Sequence, residues 1–122
     1  MRDLGLLTGD GMSQAYAINN KGQVVGTSCI DVNYSDCHAF IWQNGVMTNL
    51  NDLVPPNSLQ GVHMALADSI NDLGEIVGGT FRNGGVGDGP GFILYPCDAL
   101  HQNIAGCQTA ATVSPTMSLR AR

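Results

Sequence analysis

The pattern Ile-Asn-x-x-Gly-x-(Val/Ile)-Val-Gly occurs twice in this chain, as Ile18-Asn19-Asn20-Lys21-Gly22-Gln23-Val24-Val25-Gly26 and as Ile70-Asn71-Asp72-Leu73-Gly74-Glu75-Ile76-Val77-Gly78. Alternating apolar residues flank both copies, the period of a half-buried strand. Asn-x-x-Gly between them supplies turn formers and one residue free to take a positive φ. Each copy therefore reads as a β-hairpin. A hairpin written twice makes the chain a repeat protein.

Further matches extend the repeat. Met1-Arg2-Asp3-Leu4-Gly5-Leu6-Leu7 aligns with Met47-Thr48-Asn49-Leu50-Asn51-Asp52-Leu53, and His38-Ala39-Phe40-Ile41-Trp42 aligns with Pro90-Gly91-Phe92-Ile93-Leu94. The offset is 46 residues at the methionine segment and 52 elsewhere, which places an insertion at 55–60. The two units span about 1–45 and 46–96. In the first, strands are expected near 14–18, 23–28, 38–43 and 46–50, the last two joined by Asn44-Gly45, a strong hairpin signal. In the second they are expected near 65–70, 75–80 and 91–95, with no fourth strand. Residues 2–7 read as a strand of the fourth type. Four-stranded antiparallel meanders of this kind are propeller blades in outline. The expected fold is all-β and propeller-like, with a small β-sandwich as the alternative. Residues 97–122 read as a cysteine-bracketed loop followed by a disordered tail.

Composition narrows the function classes. Charged residues are 12% of the chain, the net charge is −5, and the five Lys+Arg do not cluster. Nucleic acid and anionic lipid both require grouped cations, so neither is an expected partner. No apolar run reaches the length of a membrane span. The four cysteines fall as close pairs, Cys29 with Cys37 and Cys97 with Cys107, each bracketing a short polar segment. Two local disulfides are expected, and they point outside the cytoplasm. Residues 1–7 carry no basic segment followed by an apolar run. These two features together suggest the C-terminal part of a longer secreted protein.

No pattern in the chain specifies a reaction. Asn71, Asp72 and Glu75 offer oxygens for calcium, but the first unit has Asn19, Asn20 and Gln23 there, with no carboxylate, so turn formation is the expected role of both sets. Zinc would use Cys29, Cys37 and His38, or Cys97, His101 and Cys107. The pairs are more widely spaced than zinc-binding cysteines usually are, which favours disulfides. His38 is expected to be structural, and His63 and His101 have no paired nucleophile or carboxylate at a recognisable spacing. Ser13, Ser28 and Ser35 lack a nucleophile elbow. Tyr16 and Trp42 suit sugar stacking in principle, but as strand aromatics they are expected in the core. No catalytic, cofactor or metal residue is assigned.

These residues resemble the bacterial extracellular repeat of the HAF family, named for the tripeptide that stands here as His38-Ala39-Phe40. Met-x-Asp-Leu-Gly, Ala-x-x-Ile-Asn-x-x-Gly-x-Val-Val-Gly and His-Ala-Phe-x-Trp are met almost throughout the first unit. The second departs from them at Pro90-Gly91-Phe92. The resemblance covers about residues 1–96, and it implies secretion and a β-rich repeat array. It implies no established reaction. The expected function is that of a non-enzymatic secreted or cell-surface module presenting loops 29–37, 55–64 and 82–90 to a protein or polysaccharide. A fragment of a propeller-type hydrolase or lyase is the alternative, and self-association through open sheet edges is a third.

Overall fold

In a computed structural model, the described residues are 3–55, 58–83, 88–98 and 117–121. They form eight strands: β1 (Met12–Ile18), β2 (Val24–Cys29), β3 (His38–Gln43), β4 (Val46–Asn49), β5 (Val62–Ile70), β6 (Ile76–Arg82), β7 (Asp88–Pro96) and β8 (Met117–Ala121). A 3-10 turn, Leu50–Leu53, follows β4. The fold is all-β. Strands β1-β2-β3-β4 make one antiparallel sheet and β5-β6-β7-β8 the other. Both sheets are open, which fits the small-sandwich alternative; no ring closes among the described residues.

Two expectations are corrected. Residues 3–11 contain no strand. They cross instead to β2, where Leu7 N–H donates to Ser28 Oγ (3.2 Å), Ser28 Oγ–H donates to Asp10 (2.7 Å) and Gly11 N–H donates to the Cys29 carbonyl (2.9 Å). Residues 46–49 are folded back onto β3 by the Asn44-Gly45 turn, both at positive φ; their counterparts Met1 and Arg2 lie outside the described residues, and residues 4–7 correspond to the 3-10 turn that follows β4. The second correction is β8. The fourth place in the second sheet is filled from within the segment expected to be an unstructured tail, with Phe92 through Pro96 pairing to Ala121 through Met117.

The repeated hairpins fold alike. Asn19 Oδ1 accepts the N–H groups of Lys21 and Gln23, and Asn71 Oδ1 accepts those of Leu73 and Glu75, all at 3.0 Å. Gly22 and Gly74 follow at φ +76° and +82°, where a β-carbon would be strained. The pattern's closing glycines serve a different purpose. Gly26 pairs with Phe40 and Gly78 with Phe92. A β-carbon at Gly78 would meet the Leu66 carbonyl oxygen and approach the Phe92 ring to 2.8 Å.

The two units stack in the same sense. Val25 and Ile41 are paired on one face of the first sheet, with Thr27 and Ala39 beside them. Val25 and Ala39 join one core with Ile76, Phe92 and Leu94, which share the opposite kind of face in the second sheet. The front of unit two therefore covers the back of unit one. The equivalents of that back, Val77 and Ile93, face outward and are only partly buried.

Strand β5 lies at the seam, packed against β1, β2 and β3. A register shift between Met64 and Leu66 turns out the Ala65 carbonyl, which accepts from Thr27 Oγ1 at 2.6 Å. Asn51 closes the same edge: its Oδ1 accepts Met64 N–H (2.8 Å) and its amide donates to the Met64 carbonyl (2.9 Å). An asparagine side chain thus takes the place of a neighbouring strand at Met64.

Candidate functional site

The two ends of the sandwich have different chemistry. At one end the hairpin tips bind each other: Asn19 donates to the Asn71 carbonyl (3.0 Å), and Asn20 donates to Asp72 through its backbone N–H (2.8 Å) and its side-chain amide (2.6 Å). The oxygens that suggested calcium are engaged in these turns. An open groove of about 450 Å³ lies between the sheets, with Ile41, Thr48 and Leu53 on one wall and Gly74 and Pro96 on the other. Its described lining carries no carboxylate or imidazole.

The other end is built around the Cys29–Cys37 disulfide. Cys29 and Cys37 are buried against Ala65, with Met12 and Phe81 packed beside them, so the bridge anchors the loop to both units. Cys97 is disulfide-bonded as well; its expected partner, Cys107, lies outside the described residues, as does His101. The loop between Cys29 and Cys37 turns on Asp31, whose carboxylate accepts the N–H groups of Asn33 (3.0 Å) and Ser35 (3.3 Å).

The loop displays apolar and aromatic side chains. Ile30, Val32 and Tyr34 are exposed. Tyr34 and Tyr16 both donate a hydroxyl hydrogen bond to Gln14 Oε1, at 2.9 and 3.3 Å. Tyr16, expected in the core, is 42% exposed, because β1 is an edge strand whose middle, Gln14 to Tyr16, is open to solvent. Its phenol is nevertheless held above the ordinary value of 10.0, first by partial burial and then by Tyr34 and Asp68. Trp42 is half-buried on β3.

The same end carries a cluster that the spacing in the sequence conceals, and Ile30 lines a depression with two of its members, Asp36 and His38. Asp36 at φ +46°, His38 at the start of β3 and His63 on β5 bring one donor atom each within 4.8 Å of one another. The imidazoles of His38 and His63 lie 5.0 Å apart between centroids, and the Phe81 ring stands edge-on to His63 at 6.2 Å. His63 Nδ1 is 2.7 Å from Asn83 Oδ1, while its Nε2 is shielded and has no hydrogen-bond partner. Leaving such an atom unmatched costs about 1–3 kcal/mol. His38 Nε2 stands 3.9 Å from Asp36 Oδ1, beyond hydrogen-bonding distance.

In the sequence His63 has no carboxylate at a recognisable spacing; the fold brings Asp36 and His38 to it. Asp36 and His38 belong to unit one and His63 to unit two, so only the stacking of the units brings them together. Ser28, by contrast, is fully buried under residues 7–10 and fastens that segment.

No helix among the described residues is long and apolar enough to cross a membrane. No protein-family model, curated protein or solved structure matches the chain.

Proposed function

We propose that this chain is an extracellular, non-enzymatic β-repeat module of the HAF type that presents its disulfide-closed loop to a protein or polysaccharide. One observation carries the reading: the exposed Tyr16 of β1 and Tyr34 of the loop meet on Gln14, and that loop, which also exposes Ile30 and Val32, is pinned at its base. Tyrosine offers a large amphipathic face at low conformational cost, which is why it is enriched in binding surfaces. A short disulfide loop loses little further entropy on binding. The division of the two ends supports the same reading, since one is committed to joining units and the other displays loops.

Same-sense stacking supports membership in a repeat array. The outward face of unit two, with Val77 and Ile93, corresponds to the face of unit one that unit two covers. The disulfides favour an oxidising compartment.

Binding of the oxidised chain to an array of bacterial and plant polysaccharides and peptides tests the proposal. A ligand whose affinity falls at least about tenfold in a Tyr16→Ala/Tyr34→Ala variant of unchanged circular dichroism is expected, since buried aromatic anchors dominate binding energies. No ligand, or one indifferent to both substitutions, overturns it.

A further inference from the structure

We propose that Asp36, His38 and His63 form a binding site for a divalent transition-metal ion, zinc fitting best, that clamps the two repeat units together at their loop end. Two imidazole nitrogens and a carboxylate oxygen make a borderline-soft set, suited to zinc and poorly suited to calcium or magnesium, which take oxygen alone.

The orientation of His63 supports the assignment. Asn83 directs its amide nitrogen to the Val62 carbonyl at 3.4 Å, which leaves its Oδ1 facing His63 Nδ1. Nδ1 therefore carries the proton and donates it, and Nε2 carries the lone pair. A carbonyl oxygen fixing the remote nitrogen so that the other is free to ligate is the usual support of a metal-bound histidine. That free nitrogen is the shielded, unpartnered atom of the cluster. The rings of His38 and His63 are tilted by 35° to one another and share no hydrogen bond. An ion between them would give both a partner.

The geometry needs little adjustment. Zinc–nitrogen bonds of about 2.1 Å at tetrahedral angles set ligand atoms about 3.4 Å apart. The present atoms all lie within 4.8 Å, so no gap has to close by more than about 1.4 Å. Asp36 adjoins the buried Cys37, so the disulfide holds the carboxylate near the imidazoles. Three protein ligands leave the fourth position to water or to a donor from a bound partner.

The test is a zinc chloride titration of the oxidised, tag-free chain by calorimetry, with cobalt as an absorbance probe. One ion per chain is expected, with affinity reduced at least about tenfold in His38→Gln and in His63→Gln, a rise in melting temperature with zinc that both variants lose, and a cobalt d–d band absent from His38→Gln. His101→Gln should leave binding unchanged. If His63→Gln does not fold, the partly exposed His38→Gln and the exposed Asp36→Asn carry the test. Absence of saturable binding, or binding that persists in His38→Gln or depends on His101, overturns the proposal.

Discussion

Asn20 and Asp72, 52 residues apart, are joined by two hydrogen bonds that link the tips of the two repeated hairpins. The separation equals the repeat offset, so the seam is made by equivalent positions. Both acceptors belong to one carboxylate, and both donors to one residue. Bonds to a charged group contribute more than neutral ones, but this pair is exposed. Asp72→Ala should lower the free energy of unfolding by about 1–2 kcal/mol, and Asn20→Ala by less, because its backbone N–H remains. A double-mutant cycle in urea should return a coupling of about 0.5–1 kcal/mol; additive losses would show that the tips do not act together.

Gly78 and Gly79 are adjacent and expected to respond differently. A β-carbon on Gly78 would collide with the Leu66 carbonyl and the Phe92 ring, and both are held by the sheet. On Gly79 it would meet only Leu66 side-chain atoms, at 3.8 Å or more, an ordinary contact. Gly78→Ala should cost about 3 kcal/mol or prevent folding. Gly79→Ala should be neutral or slightly stabilising, since it restricts the unfolded chain. Denaturant midpoints of the two variants decide the matter, and equal effects would contradict the distinction.

How far the sequence reads correctly follows from how local each determinant is. Asn19, Gly22 and Gly26 act on residues a few positions away or on the paired strand, and the hairpin they specify lies within two residues of expectation, while β5 of the second begins three residues early. Residues 4–7 align with Leu50–Leu53, which form a 3-10 turn rather than a strand, so a strand over 2–7 extended the pattern past the end of its counterpart, β4. Strand β8 depends on the free edge of β7; its own alternation, Met117-Ser118-Leu119-Arg120-Ala121, is only five residues long and has no turn signal joining it to β7. The cluster at Asp36, His38 and His63 depends on the stacking of units, which the sequence implies without giving its register.

The Cys29–Cys37 bridge closes a short loop with a sequence separation of 8. The loop-entropy relation assigns such a bridge about 2.5 kcal/mol through the unfolded chain. Cys29→Ala/Cys37→Ala should lose about that much in equilibrium denaturation, and its amides from Ile30 to Asp36 should exchange faster with solvent. Because both sulfurs are buried beside Ala65, some of the loss will come from packing between the units. Unchanged exchange in the loop would mean that the Asp31 turn alone orders it.

Tyr16 makes stability depend on pH at the alkaline end. Burial raises its ionisation above the ordinary value of 10.0, and the neighbouring Tyr34 and Asp68 raise it further. The folded chain thus holds this proton more tightly than the unfolded chain does. By linkage, the corresponding stability is fully present below the unfolded value and is lost as pH rises through the higher folded one. Wild-type protein should therefore weaken above about pH 10 more steeply than Tyr16→Phe, which has no proton to lose there. Urea unfolding across that interval, with tyrosinate absorbance followed in parallel, measures both quantities. Equal slopes in the two proteins would remove Tyr16 from the alkaline transition and assign it to other groups.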